Sequence, residues 1–254
     1  MPSIQSSPPR ARGFTIIELL IVSPLVILIV AVMVGFAVSL TGDALIARER
    51  VNATYTAQGA LDRIEQDVRL STRLLATSGT LPTPQGSNSG FAGTSAFASP
   101  ANYLVLEQYA TTQNPYGATR SLVYYANQPN ACGSAAEKDN ETVYTKIIYY
   151  RDGQTLKRRV IVPTGTFCGT PWQRNSCKTG LDTGNQCRAA DEIVAENVSA
   201  LSFAYYTNPG DASAITSPSD TTRTVLATIT VSQSIAGRSA TATSIMRAST
   251  ISIE

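Results

Sequence analysis

The hydrophobic pattern of this chain changes rhythm twice. From Phe14 to Leu40 the chain is predominantly apolar, and Glu18 is the one charged residue in the run. Leu19 to Leu40 makes 22 residues without a charge. A helix rising about 1.5 Å per residue crosses a bilayer's hydrocarbon core in about 20 residues, so this block predicts a membrane-spanning helix over 14–40. Past it, Leu61, Ile64, Val68 and Leu75 recur at helical spacing. Asp62, Arg63, Glu65, Asp67 and Arg69 are read as the opposite, charged face, with Asp62 and Gln66, and Glu65 and Arg69, four residues apart. The pattern predicts one helix from about Thr15 to about Ala76, roughly 90 Å long, with an amphipathic stem over 41–76. Gly42 is its weak point, and the alternative is two helices parted there.

After a Ser/Gly/Pro-rich stretch at 77–100, which carries no periodicity, the rhythm becomes that of strands. Tyr103–Leu106, Leu122–Tyr125, Val143–Tyr150, Thr155–Val162, Leu201–Tyr206, Val225–Ser232 and a final run near Ser244–Ile253 predict about seven strands. Asp152-Gly153 between the third and fourth marks a hairpin. The tyrosine pairs Tyr124-Tyr125, Tyr149-Tyr150 and Tyr205-Tyr206 are expected to send one ring inward and one outward, because successive side chains on a strand alternate. The fold class that results is α+β, with a long N-terminal helix packed on an antiparallel sheet contributed by a β-rich domain over 77–254.

Composition narrows the function. None of the 254 residues is histidine, which removes the commonest general base and metal ligand. No nucleophile elbow or phosphate loop is present, so the chain is read as a non-enzyme with no cofactor. Basic residues number 20 and acidic ones 18, and the basic excess is Arg10 and Arg12 in the first thirteen positions. The remainder is neutral, which argues against nucleic acid as a partner. Lys157-Arg158-Arg159 is the one basic run within the strands, read as a solvated strand end. Cys132, Cys168, Cys177 and Cys187 lack the spacing of a zinc site and are expected to form disulfides in an exported domain. Three pairings are open. Asp182 and Asn185 offer at most a weak calcium loop.

The basic residues abut the apolar block directly, without the small-residue cleavage site of a secretory signal. Their position puts the start of the span on the cytoplasmic side. Glu18 is costly in such a segment, and an intramembrane carboxylate usually has a functional partner. Arg12-Gly13-Phe14-Thr15-Ile16-Ile17-Glu18-Leu19-Leu20-Ile21-Val22 resembles the processing motif of type IV prepilins and pseudopilins. The resemblance implies a leader at 1–13 cut after Gly13 by a prepilin peptidase, N-methylation of Phe14, and retention of 14–40 as an assembly helix. Glu18 would pair with the new amine of its own or a neighbouring subunit. Pro24 lies nearer the start of the segment than the proline of many pilins does.

Ile147 to Val162 is similar to a hairpin of J-type pseudopilins and W-type minor pilins, and Ala195 to Gly210 to their later sheet. The function these resemblances imply is structural: a minor pilin or pseudopilin of a type IV pilus or type II secretion pseudopilus. Its partners would be other pilin subunits and the membrane. It would reside in the inner or cytoplasmic membrane before assembly, with its β-rich domain extracytoplasmic, and in a surface pilus or pseudopilus afterwards. The alternative is a pilus-borne adhesin contacting a cell surface or DNA, through the loops at 77–100 and 163–190.

Overall fold

The computed structural model describes residues 15–76, 102–126, 132, 141–177, 187–219, 221–235 and 237–250. The helix α1 (Ile16–Leu70) is followed by β1 (Ser71–Leu75), β2 (Tyr103–Tyr109), β3 (Tyr124–Tyr125), β4 (Tyr144–Asp152), β5 (Thr155–Ile161) and β6 (Phe167–Cys168). Then come β7 (Ser176–Cys177), β8 (Ala189–Ala190), β9 (Glu192–Ala195), β10 (Val198–Tyr206), β11 (Thr224–Ile235) and β12 (Arg238–Ser249). The chain divides into two units, Met1–Arg48 and Glu49–Glu254.

Helix α1 runs through Pro24 and Gly42 without a break, so the two-helix alternative does not hold. A lone glycine costs a helix only about 1 kcal/mol, too little to interrupt one with strong formers on both sides. The helix does end earlier than its pattern suggests. Ser71–Leu75 is strand, and Leu75 belongs to the sheet. Two donors stop the helix at Leu70: the Ser71 hydroxyl donates to the Val68 carbonyl at 2.6 Å, and Gln108 Nε2 donates to the Asp67 carbonyl at 2.7 Å. They satisfy last-turn carbonyls that would otherwise lack partners.

In the second unit α1 buries Ala53, Ala57, Ala60, Leu61, Ile64, Asp67 and Val68. This is an i, i+3, i+4, i+7 stripe, and its three alanines let the helix backbone come close to the strands. It packs on two antiparallel sheets, one ordered β1-β2-β4-β5-β9 and one ordered β10-β11-β12. Leu104, Leu106, Ile147, Tyr149 and Leu156 from the first, and Phe203, Tyr205, Val225 and Ile229 from the second, share one core with the helix. The Tyr205 hydroxyl ties the two sheets by donating to the Tyr103 carbonyl at 2.8 Å.

The five-stranded sheet is buried on both faces. Opposite the helix, Tyr103, Val105, Ile148 and Tyr150 form a second cluster, with Leu75 and Ile161 against it. That is why β2 reads as a continuous apolar run rather than an alternating one. It also corrects the expectation for the tyrosines, since Tyr149 and Tyr150 point to opposite faces and are 0% and 4% exposed. Tyr205 is buried and Tyr206 half-buried, its ring 4.1 Å from the Arg247 guanidinium carbon.

The hairpin at Asp152-Gly153 forms as expected. Asp152 pairs with Thr155, and Gly153 takes a φ of 63° at the first turn position, which favours glycine. Leu122–Tyr125 contracts to β3, with Leu122 held by an isolated bridge to Thr111. Strand β1 and the two- to four-residue strands β6 to β9 carried no periodic signal. The stretch 77–100, Asp182, Asn185 and the end of the last expected strand lie outside the described residues.

Two disulfides resolve the three open pairings: Cys132–Cys168 and Cys177–Cys187, with Cα separations of 5.1 and 5.5 Å. They close loops of 36 and 10 residues' separation. Replacing Cys132 and Cys168 by serine is expected to cost about 4 kcal/mol, and replacing Cys177 and Cys187 about 3 kcal/mol, on chain-entropy grounds. Urea denaturation of the two double variants checks both the size and the order.

Candidate functional site

The N-terminal turn of α1 is built by two residues. Thr15 Oγ1 donates to Glu18 Oε2 at 2.9 Å, and the Thr15 amide donates to the same oxygen at 3.0 Å. The Glu18 amide in turn donates to Thr15 Oγ1 at 3.4 Å. This reciprocal pattern is a capping box, in which a hydroxyl and a carboxylate three residues apart satisfy amides that the first helical turn leaves open. Glu18 therefore has a local task that its position in an apolar run did not reveal. One carboxylate oxygen carries all of it. Glu18 Oε1 has no hydrogen-bond or ionic partner among the described residues.

Every side chain from Thr15 to Thr41 is exposed. Ile16 is 88% exposed, Leu28 65% and Phe36 65%. Among the described residues α1 is the one helix long and apolar enough to cross a membrane. Gly13 and Phe14, the expected cleavage and methylation positions, lie outside the described residues.

No family model, curated protein or solved structure matches the chain. The functional reading therefore rests on the residues themselves.

The basic run Lys157-Arg158-Arg159 is not a solvated strand end. Its two arginines are consumed by two buried ionic clusters on opposite faces of β5. On the helix side, Arg158 Nε donates to Asp67 Oδ2 at 2.6 Å, and Arg158 Nη1 reaches Glu192 Oε2 at 3.2 Å. The Tyr149 hydroxyl donates to Asp67 Oδ2 at 2.5 Å, and the Tyr116 hydroxyl donates to Asp67 Oδ1. Burial pushes the Asp67 carboxyl up, but the Arg158 charge and the donors from Arg158, Tyr116 and Tyr149 outweigh it and hold it below its ordinary value. Burial, and after it the Asp67 charge, push the Tyr149 hydroxyl up.

On the other face, Arg159 Nε donates to Asp191 at 2.9 Å, Arg159 Nη2 donates to the same carboxylate, and the Tyr150 hydroxyl reaches it at 2.6 Å. Ser176 links the cluster to β7 by donating to Asp191 Oδ1 at 2.9 Å and accepting the Val160 amide at 2.9 Å. Lys157 pairs with Asp152 at 2.8 Å. Asp67, read from sequence as part of the charged face, thus lies on the buried stripe. Its separation of three residues from Ile64 and seven from Ala60 was the available signal.

Proposed function

We propose that this chain is a filament subunit of the type IV pilin class, a minor pilin or pseudopilin, cleaved after Gly13 and assembled through the first half of α1. The observation that carries the reading is the exposed apolar segment from Ile16 to Leu40, which begins in a carboxylate-capped turn. Such a segment stays out of water by entering a bilayer or by packing against copies of itself. A hydrocarbon phase gives Glu18 nothing, whereas a neighbouring subunit's amino group would meet its open oxygen. The motif Arg12-Gly13-Phe14-Thr15-Ile16-Ile17-Glu18 supports the same reading from the sequence. On this proposal the Glu49–Glu254 unit is exported, a compartment that favours its two disulfides.

Mass spectrometry of the N-terminal peptide from sheared surface filaments tests the proposal. The expected peptide begins at N-methylated Phe14. Full-length chain starting at Met1, found in membranes and absent from filaments, would overturn it.

A further inference from the structure

The chain's single tryptophan, Trp172, is 49% exposed, although the loop that carries it is held from several sides. The loop runs from β6, which ends at Cys168, to β7, which ends at Cys177, and each of these cysteines is bridged to a different partner. The Trp172 amide donates to the Thr111 carbonyl at 2.7 Å. The next residue, Gln173, is buried and works as a peg. Its Oε1 accepts the Thr111 amide at 3.1 Å, and its Nε2 donates to the Tyr109 carbonyl at 3.2 Å. Gly169 has a φ of 91°, and a β-carbon there would stand 3.0 Å from Thr112 Cγ2. Glycine at this position lets the loop lie directly on Thr112.

Thr112, Thr170, Pro171, Trp172 and Arg174 line an open cleft of about 480 Å³. This is within the range of about 300–1,000 Å³ typical of small-ligand sites. Arg174 is exposed and has no ion pair among the described residues. A large aromatic ring half in water, on a backbone fixed by hydrogen bonds and disulfides, contributes little to the core. It is preorganised to stack, which lowers the entropy cost of binding.

We propose that this cleft binds an acidic saccharide. The apolar face of a pyranose ring carries C–H bonds that match the electron-rich face of an indole. The Thr170 hydroxyl can both donate to and accept from ring hydroxyls, and the Thr112 hydroxyl, which donates to the Ser121 carbonyl at 3.5 Å, can accept from one. The Arg174 guanidinium suits a uronate or sialate carboxylate, which it can hold through two parallel N–H donors. Among the described residues the lining contains no leucine, isoleucine, valine or phenylalanine to make a pocket for a peptide's apolar anchor. Single-stranded nucleic acid also stacks on tryptophan but needs a track of cations along its backbone, and Arg158 and Arg159 are buried in ion pairs. The site stands on geometry separate from α1 and does not depend on the filament proposal.

Because Trp172 is the only tryptophan, its fluorescence reports on this cleft alone. The test is a titration of the full-length protein, in a sugar-free polyoxyethylene detergent, with tetragalacturonic acid and its carboxyl-reduced neutral analogue. A saturable change with the acid is expected, weakened about tenfold or more in Arg174→Gln and for the neutral analogue. In Trp172→Ala, calorimetry is expected to find no binding, with near-ultraviolet circular dichroism of the tyrosines confirming the fold. No saturable change with the acid, equal affinity for the neutral analogue, or tighter binding of an acidic peptide or a single-stranded oligonucleotide would each overturn the proposal.

Discussion

Asp67→Ala is expected to destabilise the Glu49–Glu254 unit by about 3–5 kcal/mol, the cost of leaving one partner of a buried ion pair behind. The carboxylate is 0% exposed and receives donors from Arg158, Tyr149 and Tyr116. Its removal strands Arg158, a residue 8% exposed, and takes the carboxylate acceptor from Tyr116 and from Tyr149, which keeps only the Arg63 carbonyl at 3.3 Å. Glu192 reaches Arg158 at 3.2 Å, but its side chain is 44% exposed and compensates weakly. Asp62→Ala, at an exposed position on the same helix, is expected to stay within about 0.5 kcal/mol. Urea denaturation of both variants measures the contrast, and similar midpoints would refute the role assigned to Asp67.

The same group sets a pH dependence. Its folded pKa lies below the ordinary 3.8, so its contribution is complete above that value and is lost as pH falls through the folded pKa. Asp67→Asn is therefore expected to flatten the decline in stability below about pH 4.

Glu18→Ala is expected to reduce incorporation into filaments about tenfold or more, while cleavage after Gly13 proceeds, if an amine–carboxylate pair forms between subunits. The capping box complicates that experiment, because alanine removes the cap as well as the charge. Glu18→Gln separates the two effects. Glutamine at the third helical position can still accept from the Thr15 amide and hydroxyl, yet it cannot neutralise an amine. Thr15→Ala does the reverse, costing the helix start about 1 kcal/mol and leaving the carboxylate in place. Loss of incorporation in Glu18→Gln with retention in Thr15→Ala assigns the effect to charge. The opposite outcome assigns it to the cap and removes the pairing argument. Quantitative immunoblotting of sheared filaments against whole cells gives the ratio.

The long elements were legible in the sequence because their periodicities are long. The apolar block to Leu40 and the stripe through Leu61, Ile64 and Val68 required a helix, and the Asp152-Gly153 turn required a hairpin. What escaped notice depends on partners far away in the chain. Leu75 fits the helical stripe arithmetically, but Ser71 and Gln108 end the helix before it, and Gln108 is 41 residues from Asp67. Ala53, Ala57 and Ala60 were passed over because alanine gives no strong apolar signal, although small residues suit a close helix–sheet contact. Arg158 and Arg159 look like surface charge until the strand is known to be covered on both faces. In such a strand each arginine requires a buried carboxylate, and the two come from different elements, Asp67 on α1 and Asp191 beside β9. At the N-terminal turn the order was reversed. Thr15 and Glu18 were both singled out for a family motif, while their three-residue spacing already described a cap.

The two arginines have a consequence for strand alignment. In the observed pairing, Arg158 meets Asp67 and Arg159 meets Asp191 across the thickness of the sheet. Sliding β5 by one residue in one direction would bring Val160 to Asp191 and leave a carboxylate facing a hydrocarbon. Sliding it the other way would bring Lys157 to Asp67, where a single ammonium replaces the fork that reaches both Asp67 and Glu192. Misaligned hairpins are thus discriminated against by electrostatics even where their apolar residues would pack.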